Sequence, residues 1–313
     1  MKISLQDFFS KKSTPLFPLI NGLSKGCIDI SEAVRNAATL NLRGAIDHTN
    51  IQGETVQKLD DLSNTILLEA CKNEDSCAAF VSEETDGIAL LNQNGKYVVA
   101  IDPLDGSSNI DIAAPVGTIF AIWERISNPG KDAENDDYMQ SGEKCVAAGF
   151  ALYGSATLLI LTIRNGVHLF SFNTTSNQFE LIEENLQIPI TGAIYSLNQA
   201  NLKKFDERAE RFVNECIEGE KAFSLRYIGS MVGDLYRTLL KGGVFLYPAA
   251  KGTTKGKLRL LYECIPMSLI VEQAGGQSTN GQVRILEITP QEIHERCAII
   301  IGSETLVKKY LAS

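Results

Sequence analysis

Asp102-Pro103-Leu104-Asp105-Gly106-Ser107-Ser108 is the stretch on which the reading of this chain turns. The run before it, Lys96-Tyr97-Val98-Val99-Ala100-Ile101, is apolar and β-branched, so it reads as a buried strand. Pro103 is expected to stop the ladder and Asp105-Gly106 to turn the backbone. Two carboxylates three apart then stand where a strand ends. Ser107 and Ser108 follow with hydroxyls and N–H groups suited to an anion such as phosphate. Hard divalent cations take carboxylate oxygens, and Mg²⁺ commonly shares its shell with substrate phosphate. One short segment therefore offers metal ligands and a phosphate cradle together. A bare Asp-Gly-Ser turn would be an ordinary Asx turn. The full seven-residue run is far more specific.

Other carboxylates point the same way. Phe80-Val81-Ser82 reads as a strand end and is followed by Glu83-Glu84. An isolated pair of this kind is as readily a solvated charge pair. On an extended backbone, neighbouring side chains face opposite ways, leaving one for a metal and the other for water. Further on, Lys257-Leu258-Arg259-Leu260-Leu261-Tyr262-Glu263 reads as a strand with Lys257 and Arg259 on one face. Pro266 opens a helix that runs to Ala274-Gly275-Gly276. Glu263 then falls at a strand-to-helix junction, a common ligand position in α/β sites.

A chain of 313 residues can bury a sizeable core, and two associated lobes are expected, 1–185 and 186–313. The first is expected to combine regulatory-type helices with a metal-binding sheet, and the second to be a substrate-binding α/β lobe. The hydrophobic fraction of 44% contains no apolar run of bilayer-spanning length, so no membrane association is expected. The first residues lack a signal peptide's apolar core, and the expected location is the cytoplasm. A formal charge of −9 disfavours nucleic acid as a partner. The seven cysteines form no Cys-x-x-Cys pair and read as buried, reduced thiols. His48, His168 and His294 show no metal-ligand spacing. Apolar periodicity predicts a helix over residues 17–44 and a second one from Leu59, with Asp60 near its start. Strands are expected over 116–123, 145–153, 156–163 and 167–172, and a surface loop over 127–142. After Leu186 strands and helices alternate again.

These segments together resemble the class I fructose-1,6-bisphosphatases, within the wider superfamily of inositol-monophosphatase-like, metal-dependent sugar phosphatases. The likeness runs over residues 30–302. It is carried by Gly53-Glu54-Thr55-Val56-Gln57-Lys58-Leu59-Asp60, Val81-Ser82-Glu83-Glu84, the run from Asp102 through Asp111, Ala151-Leu152-Tyr153-Gly154-Ser155, Arg226-Tyr227-Ile228-Gly229-Ser230-Met231 and Gly256-Lys257-Leu258-Arg259-Leu260-Leu261-Tyr262-Glu263. The resemblance implies an α/β fold, an α+β layered sandwich of alternating helix and sheet layers, with the active site between two lobes. It implies hydrolysis of D-fructose 1,6-bisphosphate to fructose 6-phosphate, with sedoheptulose 1,7-bisphosphate, or both sugars, as the alternative substrate. A non-catalytic metal- or anion-binding protein is the remote alternative.

The resemblance also implies a set of roles. Glu83, Asp102, the Leu104 carbonyl, Asp105 and Glu263 would hold Mg²⁺, with Mn²⁺ or Zn²⁺ as substitutes, and Glu54 a further ion. Glu84 and Asp60 match the pair that orients and deprotonates the attacking water. Gly106, Ser107 and Ser108 would hold the transferred phosphate. Asn198, Arg226, Tyr227 and Tyr247 match the cradle of the other phosphate, Gly229, Ser230 and Met231 the sugar-contacting loop, and Lys257 with Arg259 the rest of the substrate site. Arg226 is expected to reach a neighbouring subunit's site in a homotetramer. Family members inhibited by AMP bind its phosphate at a Gly-Thr-Gly-Glu-Leu-Thr turn. Here that place is taken by Ser13-Thr14-Pro15-Leu16-Phe17, and Glu143 falls where an arginine is usual, so weak or absent AMP inhibition is expected.

Overall fold

The computed structural model describes residues 2–42, 44–49, 55–220, 222–253 and 255–313; the side chains of residues 45–49, 55 and 56 lie outside the description. Its helices are α1 (Leu5–Ser10), α2 (Phe17–Arg35), α3 (Lys58–Lys72), α4 (Glu207–Glu218), α5 (Met231–Lys241), α6 (Ile265–Gln273) and α7 (Glu304–Ala312). A hairpin of β1 (Ala45–Thr49) and β2 (Thr55–Gln57) precedes α3. The main sheet then takes β3 (Cys77–Ser82), β4 (Ala89–Leu90), β5 (Tyr97–Asp105), β6 (Val116–Glu124), β7 (Cys145–Tyr153), β8 (Thr157–Thr162), β9 (His168–Asn173) and β10 (Gln178–Glu183), in the order β10-β9-β8-β7-β6-β5-β3-β4. A second sheet uses β11 (Ile194–Ser196), β12 (Ser224–Leu225) and β13 (Val244–Tyr247). The two-stranded pair of β14 (Leu258–Arg259) and β16 (Arg296–Cys297) stands apart, while β15 (Gln277–Thr279) and β17 (Ile299–Gly302) complete the second sheet as β12-β11-β13-β17-β15.

Period-two alternation decides which face of the main sheet meets which helices. Tyr97, Val99 and Ile101 of β5, with Phe120 and Ile122 of β6, pack against α1, α2 and α3. Their neighbours Val98, Ala100, Ile119, Ala121 and Trp123 face the opposite way, against α5 and α6. Those two helices also contact the second sheet, whose far side is covered by α4 and α7. The result is five layers, α/β/α/β/α, as a layered sandwich requires. Among the described residues, no helix is long and apolar enough to cross a membrane. All seven cysteines are buried and unpaired.

Several elements differ from the sequence expectation. Helix α2 stops at Arg35, where Asn36 closes it. The short α1 was not anticipated; Ser4 caps it by accepting from the Asp7 N–H. The 127–142 segment is no simple surface loop. Its Asp137 carboxylate is buried and accepts from the N–H groups of Ile126, Ser127 and Glu134 and from the Ser127 hydroxyl. Burial pushes that acid up, but the four donors outweigh it and hold Asp137 below the ordinary range.

Candidate active site

β5 does not end at Pro103. It continues to Asp105, with an irregularity between the Asp102–Ile119 and Asp105–Gly117 pairs, where three steps on β5 face two on β6. The reason lies next door. Pairing with β3 ends at Ser82–Ile101, so Pro103 has no ladder N–H to lose on that side. Its carbonyl accepts from the Thr118 hydroxyl at 2.8 Å. A bulge of this kind re-aims side chains, and here Asp102, Leu104 and Asp105 all line one cavity.

Asp102, Asp105 and Glu263 are buried, and one oxygen of each lies within 4.8 Å of the others. Burial and then the Glu83 charge push Asp102 and Glu263 well above the usual carboxylate range. Burial lifts Asp105 to about 6, with hydrogen bonds from the Val232 N–H and Ser230 hydroxyl pulling the other way. The Leu104 N–H holds Asp102 Oδ1 at 3.0 Å, and the Arg259 N–H holds Glu263 Oε2. Glu83 approaches to 3.9 Å from the buried Arg259 guanidinium. Acids this close repel one another unless a cation sits among them. The donor set is all oxygen and fits a hard divalent ion.

Glu83 and Glu84 do not face opposite ways. β3 ends at Ser82, whose hydroxyl accepts the Glu84 N–H at 3.2 Å and curls the chain. Both glutamates therefore line the same cavity. Asp60 lines it too, from the first turn of α3, where Oδ2 accepts the Gln57 N–H at 2.8 Å in a capping box. The Ser107 hydroxyl lies near this carboxylate without reaching full hydrogen-bond geometry. Burial lifts Asp60 to about 7.

The cavity measures about 500 Å³. Gly106 bounds it at φ +76°, and a Cβ there would meet the Ser230 Cβ at 2.7 Å. Ser107 and Ser108 follow in a short 3₁₀ turn. The opposite wall comes from Asn198, Tyr227, Gly229, Ser230, Met231, Tyr247, Lys257 and Arg259. Burial lifts the Tyr227 phenol to about 12, so it remains a donor. The strand expected over 257–263 is only Leu258–Arg259; a π-helical turn, Leu260–Cys264, then carries Glu263 into α6. Such turns concentrate at functional sites. Arg226 is not part of this wall. It is exposed, with its guanidinium on the Leu225 carbonyl. Glu54 lies outside the described residues.

Two family models cover almost the whole length: fructose-1-6-bisphosphatase, N-terminal domain, over residues 2–184, and fructose-1-6-bisphosphatase, C-terminal domain, over residues 188–313. The chain belongs to the fructose-1,6-bisphosphatase family. Among solved structures it resembles Leishmania major fructose-1,6-bisphosphatase in holo form, with a TM-score of 0.95 and 34% sequence identity over 100% of this chain and 98% of that one.

For a fructose-1,6-bisphosphatase, sequence reading found most of the cavity wall but missed Gln57, Phe245 and Leu258. Gln57 carried no signal, since Gln is not among the usual N-cap residues; it is Asp60 that reaches back to its N–H. Phe245 and Leu258 carried none beyond ordinary core character. Lys96 and Tyr97 keep a Lys-Tyr pair that the resemblance places at the family's AMP site, where Glu143 also falls. Lys96 lies 2.9 Å from Glu124, and Glu143 is paired with Arg284 and Arg164.

Proposed function

We propose that this member of the fructose-1,6-bisphosphatase family hydrolyses D-fructose 1,6-bisphosphate to fructose 6-phosphate and phosphate. One observation carries the reading. A single cavity joins the buried carboxylates Asp102, Asp105 and Glu263 to Ser107–Ser108 and to a wall of Tyr227, Tyr247, Asn198 and Lys257. That arrangement offers room and donors for two phosphates on one sugar.

Glu83, Asp102, the Leu104 carbonyl, Asp105 and Glu263 would hold the divalent ion, and Glu54 would serve a further one. When bound, Mg²⁺ (or Mn²⁺ or Zn²⁺ in its place) neutralises phosphoryl oxygens and acidifies water. Glu84 takes the proton of the attacking water. Asp60, lifted to about 7 by burial, shares protons near neutral pH and orients that water. Gly106, Ser107 and Ser108 hold the phosphate being transferred. Asn198, Tyr227 and Tyr247, with Arg226 from a neighbouring subunit, hold the other one. Gly229, Ser230, Met231, Lys257 and Arg259 seat the sugar.

The lobes divide at residues 185 and 186, the active form is a homotetramer, and the working compartment is the reducing cytoplasm, where buried thiols stay free. Phosphate release from fructose 1,6-bisphosphate and sedoheptulose 1,7-bisphosphate, each with Mg²⁺, Mn²⁺, Zn²⁺ or EDTA, tests the reading. Metal-dependent turnover with a higher kcat/KM on the fructose ester is expected. Undiminished turnover in EDTA would refute the mechanism, and preference for the seven-carbon sugar would move the substrate.

A further inference from the structure

Outside the carboxylates already discussed, Asp234 holds a concentration of hydrogen bonds that no step above uses. Its side chain is fully buried at the fourth position of α5. Helical side chains lean toward the N-terminus, and this one reaches back past the helix cap, Ser230. Oδ1 and Oδ2 each accept from the Ile228 N–H at 3.1 Å, and Oδ2 also accepts from the Gly229 N–H at 3.2 Å. Oδ1 accepts from the Ser196 hydroxyl at 2.8 Å and from Arg237 Nη2 at 2.8 Å. Ser196 ends β11, two residues before Asn198. One carboxylate thus pins together the two chain segments that supply the second phosphate cradle.

The other end of the 228–232 segment hangs on Asp105, through Ser230 and the Val232 N–H. Asn109 Nδ2 adds a bond to the Gly229 carbonyl at 3.1 Å. Gly229 itself is at φ +82°, a conformation that needs external support to stay unique. A helix cap would explain none of this, because Ile228 and Gly229 precede the helix and Ser196 belongs to another strand.

We propose that Asp234 is a positioning residue for substrate binding: by holding Ile228, Gly229 and Ser196 in one place, it sets the spacing between Tyr227 and Asn198. The inference rests on the cradle reading above. Arg237 compensates the charge of Asp234, so the carboxylate does not merely repel an anionic substrate.

The variant Asp234→Asn separates geometry from charge. Asparagine keeps the shape, but its NH₂ group meets N–H donors, and a buried negative charge near an anionic ligand is lost. Charge alone would lower KM. Lost positioning raises it, by about tenfold, because the substrate feels the broken loop bonds only indirectly through Tyr227 and Asn198, with kcat changed less. Mn²⁺ binding measured by calorimetry stays as in the parent, and the Ile228 and Gly229 amides exchange faster with solvent. Arg226→Ala, assayed beside it, reports on the cradle independently. A folded Asp234→Asn protein whose KM is unchanged or lower, while Arg226→Ala raises KM, overturns the positioning role. Unchanged KM in both overturns the cradle, and the inference with it. If Asp234→Asn does not fold, Ser196→Ala removes one bond only. It should raise KM about threefold, and an unaltered KM there overturns the proposal.

Discussion

Glu84 and Asp60 share a cavity but are tied down differently, and that difference sorts their roles. Asp60 spends Oδ2 on the Gln57 N–H, so its position is fixed by α3. Glu84 follows the turn capped by Ser82 and stands beside Glu83, the proposed metal ligand. Glu84→Gln keeps the shape but cannot accept a proton. Its kcat should fall by about 10²-fold or more, while KM and Mn²⁺ affinity change little; a large KM rise at unchanged kcat would make Glu84 a binding group. The buried acids also set a pH dependence of stability. Asp60 at about 7 and Asp105 at about 6 lie above their ordinary value of 3.8, and Asp102 and Glu263 are raised too. Between about pH 4 and 7 the folded chain therefore keeps protons that the unfolded chain has released, and stability falls as pH rises through that window. In EDTA, the melting temperature should drop from pH 5 to pH 8. Mg²⁺ at pH 8 should restore it, since an ion bound only by the folded state stabilises that state. A flat or rising curve in EDTA would contradict the repulsion argument.

At the scale of elements, the β5 bulge and the Gly106 turn do the aiming. Gly106 combines φ +76° with a wall at Ser230, so Gly106→Ala is strained twice. It should cost about 1–2 kcal/mol of stability. It should also lower kcat about tenfold or more by moving Ser107 and Ser108; thermal melting and steady-state kinetics measure both, and a wild-type kcat would show that the turn need not be left-handed. The same elements show what a sequence can reveal. The strand into Asp102, the strands of β6 to β9 and the helix after Pro266 were legible because each is encoded by local periodicity and local breakers. Where a partner decides the outcome, local signals fail. β5 passes Pro103 only because β3 has already ended. Glu83 and Glu84 turn the same way because one serine hydroxyl caps the chain. Glu263 rides a π-helical turn whose geometry is fixed by the Arg259 N–H. Asp234 looked like any helical aspartate, since its five hydrogen bonds come from three separate places in the chain.

Across the whole molecule, the cavity takes Asp60, Glu83, Glu84, Asp102 and Asp105 from elements before residue 184, and Glu263 with most of the remaining wall from elements after residue 188. Arg284 spans the same divide, bonding Glu143 on one side and Glu272 at 2.6 Å on the other. Glu143 is thereby committed to holding the molecule together, and Lys96 faces Glu124. The Thr14 hydroxyl accepts from the Leu16 N–H, and Pro15 has no N–H to give. The turn thus lacks the glycines of the AMP-binding pattern and one N–H donor, and weak AMP binding is expected. Losing two charge-assisted bonds at about 1.5–3 kcal/mol each weakens binding by roughly two to four decades. AMP titrated at near-KM substrate should leave activity intact through the micromolar range, and low-micromolar half-inhibition would show a working nucleotide site. Arg226 belongs to the surface and not to the cavity. It sits beside the edge strand β12 between Leu225 and Tyr227, both partly exposed, and outside the cavity wall of its own chain. A guanidinium in such a place serves a neighbour's site if two copies meet along that edge. Arg226→Ala and Asp102→Ala subunits, each nearly inactive alone at low substrate, should then regain activity when mixed, because some mixed interfaces pair an intact metal site with an intact Arg226. Native mass spectrometry confirms that mixed oligomers have formed. Mixed oligomers with no regained turnover would place Arg226 outside every active site.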